Sequence, residues 1–378
     1  MKTATLESKF PLLAVENGCI ISKDADITVA YKVELPELFT LTSAEYEAMH
    51  STWAKAVKVL PNYSIVHKQD FFVEESYKPD ICKDGISFLS RSFERHFNER
   101  PYLQHTCYLF LTKTTKERSR TTSSFNALTR GFIIPKEMQD KETVSRFMEC
   151  CGQFERIVND SGLLRITRLT DGEITGTESS GIIEKYFSLS QEDTACLQDL
   201  SLGAGEMKVG DNYLCLHTLS DPEDLPSGVA TDCRYERLST DRSDCRLSFA
   251  APIGILLTCN HVVNQYLFID DSAENLRKFE QTARNMHSLS RYSRSNQINR
   301  EWIEEYLNEA HSKGLTSIRA HCNVMAWSDD REKLKRIKND VGSQLALMEA
   351  KPRHNTVDVP TLFWAAIPGN AGDFPSEE

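Results

Sequence analysis

The stretch Ile27-Thr-Val-Ala-Tyr-Lys-Val-Glu-Leu35 decides how the chain is read. Its apolar residues Ile27, Val29, Tyr31, Val33 and Leu35 alternate with Thr28, Ala30, Lys32 and Glu34, the period of a half-buried strand. Pro36 ends it. Thr42 and Glu45 then form a capping-box pattern, followed by Tyr46, Met49, Trp53, Val57 and Leu60 at helical spacing and by Pro61 as a stop. Apolar residues resume over Tyr63–Val73 as a second strand. The spacing predicts a short helix at Ser87–Phe97 and a strand at Cys107–Leu111.

Further along, Val144, Phe147, Met148, Cys151, Phe154, Ile157 and Val158 mark the clearest helix, with Gly162 as its C-terminal cap. Leu163–Leu169 reads as a strand, and Asp171–Ser180 as a loop. Leu247–Leu257 and Val262–Ile269 read as paired strands. Leu276, Phe279, Ala283 and Met286 then face inward from a helix. Trp302, Ile303, Tyr306, Leu307 and Ala310 mark another, stopped at Gly314. Ile318 to Ala326 alternates as a strand, and Asp329 and Glu332 cap a helix carrying Leu334, Ile337, Val341, Leu345 and Met348. Val357–Ile367 reads as a strand interrupted by Pro360.

This mixture predicts an α+β fold of mixed, largely antiparallel sheets with packed helices. The expected organisation is one subdomain at 1–217, a polar connection at 218–246, a second subdomain at 247–367 and a linker at 368–378. The sequence has no short-period repeat and no heptad run.

Composition narrows the function. A chain of 378 residues that is 40% hydrophobic and 26% charged belongs with soluble globular proteins. A net charge of −11 argues against a protein that coats nucleic acid by neutralising phosphates. The eleven cysteines are scattered, include no CxxC pair and fit a reducing, cytoplasmic compartment. The most apolar segment, Phe249–Cys259, is interrupted by Pro252 and Gly254, whereas a spanning helix needs about 20 apolar residues.

Candidate chemistry is sparse. Gly176-Thr-Glu-Ser-Ser-Gly181 is the nearest approach to a phosphate loop, but Ile182 and Ile183 stand where lysine and hydroxyl are needed. Cys259 with His261 and His321 with Cys322 are the close Cys/His pairs, and neither has zinc-ligand spacing. Asp241 and Asp244 could act as an acid/base pair; ion pairing with Arg242 and Arg246 explains them more simply. Lys113, Lys116, Arg118 and Arg120 form one basic cluster. Arg291, Arg294 and Arg300, with Tyr292 among them, form another that could meet DNA, lipid or an acidic protein.

Several stretches resemble the N-terminal region of TraG proteins of Bacteroidetes conjugative transposons. They are LESKFPLLAVENGCIISKDADITVAYKVELPELFTLT from Leu6, RSFERHFNERPY from Arg91, RYERLSTDRSDCRLSFAAP from Arg234 and ARNMHSLSRYSR from Ala283. The resemblance runs from Leu6 to the chain end, where Pro368, Gly369 and Asn370 resemble the PGN motif that precedes the nucleotide-binding core of large type IV secretion ATPases.

It implies a non-catalytic docking or assembly module of a conjugation ATPase, with ATP and Mg²⁺ expected only with the ATPase domain that this sequence lacks. The implied partners are inner-membrane conjugation channel proteins, the module's own ATPase domain and further copies of the chain. The implied location is cytoplasmic, peripheral at the inner membrane. Two alternatives stay open: a DNA-binding module using Arg291, Arg294 and Arg300, and an enzyme with an acid/base site such as Asp241/Asp244.

Overall fold

The computed structural model describes residues 5–37, 41–78, 87–116, 136–177, 179–203, 206–226, 228–229, 233–237, 239–243, 246–289 and 292–375. Its framework is one antiparallel sheet of twelve strands carrying helices on both faces, an α+β architecture. The first strands, β1 (Leu12–Glu16), β2 (Cys19–Ser22) and β3 (Ile27–Glu34), form a meander. After them come α2 (Ser43–Val59), β4 (Ser64–Glu75), α3 (Phe88–Asn98) and β5 (Tyr102–Lys113); a short α1 (Leu6–Lys9) precedes the meander. The expected strand at 27–35 and the capping box on Thr42 and Glu45 are both present.

The middle of the chain holds α4 (Lys136–Gln139), α5 (Lys141–Asp160), β6 (Arg165–Arg168), α6 (Asp171–Thr175) and α7 (Ile182–Ser188). Next come β7 (Leu200–Gly203), β8 (Glu206–Val209), β9 (Asn212–Leu219) and the small hairpin β10 (Cys233–Arg234) with β11 (Arg246–Leu247). The last part runs through β12 (His261–Ile269), α8 (Ser272–Leu289), α9 (Arg294–Lys313), β13 (Ile318–Ser328), α10 (Arg331–Leu347), β14 (Arg353–Asn355) and α11 (Val359–Ala365).

Strand order across the sheet is β1-β2-β3-β5-β4-β12-β13-β9-β8-β7, with β6 also on β3 and β14 also on β9. The expected division at 218–246 therefore does not partition the sheet. Strands β7 to β9, placed by sequence with the first subdomain, run into β13 instead.

One plan occurs twice in this sheet. Residues 12–188 form a three-strand meander, then β4 and β5, with β5 inserted between β3 and β4. Next come the long α5, a short β6 returning onto β3, and the seven-residue α7. Residues 200–365 repeat each step: the meander β7–β8–β9, β13 between β9 and β12, the long α10, a short β14 returning onto β9, and the seven-residue α11. The copies meet at β4 and β12, antiparallel, with Gln69 opposite Asn264. A pseudo-two-fold axis through the sheet at that point relates them.

The repeat extends to caps and core positions. Asp140 caps α5 by accepting from the Glu142 and Thr143 backbone N–H, and Asp330, not the expected Asp329, caps α10 by accepting from the Glu332 backbone N–H. At matching offsets from those caps, Phe147, Cys151 and Val158 correspond to Ile337, Val341 and Met348. Helices α2 and α5 cover one half of a sheet face, while α10 and a π-helical turn at Pro252–Leu256 cover the other half. On the opposite face α7 and α11 lie side by side over Ala30, Phe71, Phe110, Tyr266 and Met325. There the Tyr186 hydroxyl donates to the Phe363 carbonyl at 2.6 Å, tying the two repeats together. Burying aromatic and aliphatic side chains of this kind stabilises the fold by about 1.5–3 kcal/mol each.

Four sequence expectations are corrected. Val357–Ile367 is not a strand but contains α11; Pro360 occupies its first turn, where a missing N–H is harmless. Leu247–Leu257 is not a paired strand, because Pro252 and Gly254 leave it a π-helical turn packed under α10. Part of the expected loop at 171–180 is α6, opened by a second capping box on Thr170 and Glu173. The expected linker at 368–378 is, over Pro368–Phe374, part of the core: Asn370 is 0% and Ala371 1% exposed, and Phe374 is buried. Residues 376–378 lie outside the described residues.

Candidate functional site

Where the repeats join, both faces of the sheet carry polar side chains. On the α7–α11 face, His67 Nε2 and Gln69 Nε2 donate to Asn264 Oδ1 at 3.0 and 2.8 Å. Asn264 Nδ2 donates to Asn323 Oδ1 at 3.0 Å, and Asn323 Nδ2 in turn to His321 Nε2 at 3.2 Å. Gln69 Nε2 also donates to the Ala366 carbonyl at 3.0 Å. The acceptors set the tautomers: the proton of His67 is on Nε2, while Nε2 of His321 is bare. Burial lowers the His67 pKa to about 4, so the ring is neutral at pH 7. Phe374 closes over the row against Tyr266 and His321 at ring distances of 4.7 and 4.6 Å. A sealed, neutral network of this kind orders a core and offers no substrate access.

On the opposite face Asp70 accepts from Lys68 and, at 2.9 Å, from His105 Nε2. Burial pushes the Asp70 carboxyl up, but the Lys68 charge and the bonds from His105 and Lys68 outweigh it and hold Asp70 below the usual carboxylate range. Burial likewise disfavours the Lys68 ammonium, and Asp70 more than offsets it. Cys107 and Cys322 flank this group. Burial raises both thiols, Cys322 to about 12, so neither is a ready nucleophile. Their strands, β5 and β13, are separated by β4 and β12, roughly 14 Å at the usual strand spacing, too far for a disulfide. The group is an ion cluster with a proton-saturated lysine, not a base poised to react.

The sequence candidates fall as follows. Gly181 is the N-cap of α7, and its backbone N–H donates to Glu184 Oε2 at 3.0 Å, so a carboxylate occupies the place a phosphate would need. His261 Nδ1 meets the Cys259 carbonyl, not its thiol, at 2.7 Å, and the ring stacks on Phe72 at 4.6 Å. His321 and Cys322, adjacent on β13, point to opposite faces. No group of three His, Cys, Asp or Glu side chains converges as a metal site among the described residues. Asp241 sits exposed in a turn closed by Thr240 and Ser243; Asp244 lies outside the described residues.

The basic clusters are dispersed. Lys113 Nζ is turned inward onto the carbonyls of Asn62 and Thr114, and Lys116 pairs with Glu274 at 2.9 Å. Arg118, Arg120 and Arg291 lie outside the described residues. Tyr292 is 85% exposed and Arg294 is exposed at the start of α9. Arg300 does not reach outward as expected: it contacts His287 Nδ1 at 2.9 Å and Glu304 at 3.2 Å.

Pro368, Gly369 and Asn370 form a lock. Gly369 has φ +88°, and a Cβ there would stand 2.5 Å from Ile20 Cγ2, so backbone geometry and space both require glycine. Asn370 Nδ2 donates to the Trp364 carbonyl at 2.9 Å.

What sequence reasoning missed is the surface of α3, where Phe88, Leu89 and Phe93 are exposed. Its signal was present in FLSRSFERHFN, where Leu89, Phe93 and Phe97 recur every fourth residue.

A family model described as "Domain of unknown function, B. Theta Gene description" matches residues 1–51, the segment from α1 through the β1–β3 meander into α2. The chain matches no curated protein sequence. No helix among the described residues is long and apolar enough to cross a membrane.

Proposed function

We propose that the chain is a non-catalytic docking and assembly module of a conjugation ATPase, cytoplasmic and peripheral at the inner membrane. One observation carries this reading: the titratable groups at the join of the two repeats are sealed or ion-paired, while exposed apolar side chains such as Phe88, Leu89, Phe93 and Trp302 stand on helices inserted between framework strands. A framework of that kind presents surfaces to partners instead of enclosing a substrate. The resemblance to TraG proteins supplies the machine. Its channel proteins, its ATPase domain and further copies of the chain are the proposed partners, and ATP and Mg²⁺ belong to the ATPase domain.

Overproduced by itself, a docking module competes for the motor's docking places. Overproducing the 378-residue chain in a donor that carries the intact conjugation system should therefore lower transfer frequency, although the chain alone hydrolyses no ATP. Unchanged transfer at high levels of folded chain would overturn the proposal.

A further inference from the structure

The two repeats place different inserts at the same point of the plan. Between β12 and β13 lie α8 and α9, which pack on one another, with Phe279 against Tyr306 at a ring distance of 5.2 Å. Between β4 and β5 the described residues contain a single helix, α3, and it buries none of its residues. Phe88 is 83%, Leu89 78% and Phe93 62% exposed. Leu89, Phe93 and Phe97 share one face, since residues four apart are neighbours on a helix. Tyr77 and Tyr102, exposed at the base of the insert, extend the patch.

We infer that α3 is a lipid-surface element, an interfacial helix that lays its phenylalanine face into the headgroup boundary of an anionic bilayer. Three observations favour lipid over a second copy of the chain. The first is area: covering Phe88, Leu89, Phe93 and Phe97 would remove on the order of 500 Å² per chain, short of the roughly 800 Å² per partner of a stable interface. A bilayer sets no such minimum.

The second is charge. Arg91, Arg95 and Arg100 lie along or just beyond the helix, against Glu94 and Glu99, so the insert is locally cationic in a chain of net charge −11. Arg95 is held to Glu99 at 2.6 Å, and Arg100 contacts the His96 ring and carbonyl at 2.9 and 3.0 Å, which fastens the last turn and leaves Arg91 as the cation that the helix offers to a headgroup. The third is residue type. Phenylalanine on one face with arginine at the borders is the pattern of helices that lie in a membrane surface, and tyrosines at the base suit the headgroup level. This deepens the peripheral-membrane part of the proposed function by naming the element responsible.

The test uses the full chain and sedimentation with phosphatidylethanolamine–phosphatidylglycerol vesicles, with phosphatidylcholine vesicles as the neutral control. The wild-type chain should partition onto the anionic vesicles about tenfold more than onto the neutral ones. The double variant Phe88→Glu, Phe93→Glu should lose about tenfold or more of that binding with an unchanged circular dichroism spectrum, because neither side chain is buried. Phe93→Trp should bind as the wild type does and shift its emission to the blue on vesicles.

Equal binding by wild type and double variant would overturn the assignment to α3 while leaving a peripheral membrane location standing through another element. Absence of vesicle binding would overturn it as well; a concentration-dependent dimer lost in the double variant would then identify a second copy as the occupant. Transfer competition by the chain is scored separately, so the two readings can fail independently.

Discussion

The first repeat, residues 12–188, and the second, residues 200–365, share a plan but differ in where they place their helices. In the first, α2 and α5 together roof one half of a sheet face, and Trp53 of α2 reaches Phe154 of α5 at a ring distance of 5.9 Å. In the second, α10 has a π-helical turn where the first repeat has α2. The inserts differ the other way: α3 is single and exposed, while α8 and α9 bury part of their surface against each other. Positions beneath the roof keep their packing role across the repeat, whereas the inserts diverge. What must stay apolar for the sheet to exist is thus separated from what is free to acquire partners.

The largest effect expected is from Val341→Asp. Val341 is 0% exposed on the buried face of α10, and an unpaired carboxylate there costs several kcal/mol, a large share of the roughly 5–15 that hold a domain together. Because β4 and β12 pair along all of β12, the lesion should abolish cooperative unfolding of both repeats. A protease-resistant core of residues 12–188 surviving in the variant would show that the repeats are independent units. Leu334→Asp, at the partly buried edge of the same stripe, should destabilise less.

Next in size is a pair of buried residues, one from the long helix of each repeat. Phe154→Ala should cost about 3–5 kcal/mol, and Leu345→Ala less within the roughly 2–5 of such lesions, because Trp53 closes over Phe154. Urea denaturation of the two variants measures the difference. The opposite order would mean that the π-helical turn packs more tightly than the α2 roof.

Much of this framework was legible in the sequence, for reasons that differ by element. Strand β3, helix α2 and helix α5 announce themselves through local periodicity and, for α2, through the capping box on Thr42 and Glu45. Helix α11 and the turn at Pro252–Leu256 do not, since a short apolar run buried on most sides has no period to read. The repeat was invisible because Phe147 and Ile337, or Cys151 and Val341, share only apolarity. The polar row of His67, Gln69, Asn264 and Asn323 was invisible because polar residues alternating on a strand read as a solvated face until a partner strand brings them together. Pro368, Gly369 and Asn370 read as linker residues; what makes them core is Ile20, far away in sequence.

A third prediction separates the meander turns. Asp26, at the β2–β3 turn, is 1% exposed, and burial raises its carboxyl to about 8, with a hydrogen bond to Thr114 opposing and Asp373 adding to the rise. The corresponding turn of the second repeat carries Gly210 and Asp211, and Gly210 adopts φ +56°. A raised carboxyl favours folding below its unfolded pKa, near 3.8, and that advantage is lost as pH rises to about 8. Asp26→Asn should therefore match wild type near pH 4 and gain stability progressively up to pH 8, on the order of a few kcal/mol. His67, His217 and His261 act in the opposite sense. Burial lowers each to about 4, so their contribution is complete above pH 6.5 and is lost as pH falls toward 4. Comparing Asp26→Asn with wild type at each pH removes the histidine contribution. A pH-independent difference would show that Asp26 is ionised in the folded chain.

The smallest effect expected is from Arg300→Ala, and it bears on the contrast between the inserts. Arg300 lies on α9 and is engaged within its own insert, by His287 at the end of α8 and by Glu304 one turn further along α9. Partly exposed pairs of this kind contribute below about 1 kcal/mol, so the melting temperature should move by no more than a few degrees. Under the proposed docking role, conjugative transfer in a donor carrying Arg300→Ala should stay at the wild-type level, because His287 and Glu304 hold this guanidinium against its own insert. Phe88→Glu with Phe93→Glu on α3 makes the opposite case: no stability change and a loss of surface binding. If Arg300→Ala lowers transfer while the folded protein accumulates normally, the α8–α9 insert is also a contact surface. Binding measured at two salt concentrations would then tell an electrostatic contact to DNA or lipid, weakened steeply by salt, from an apolar contact to protein.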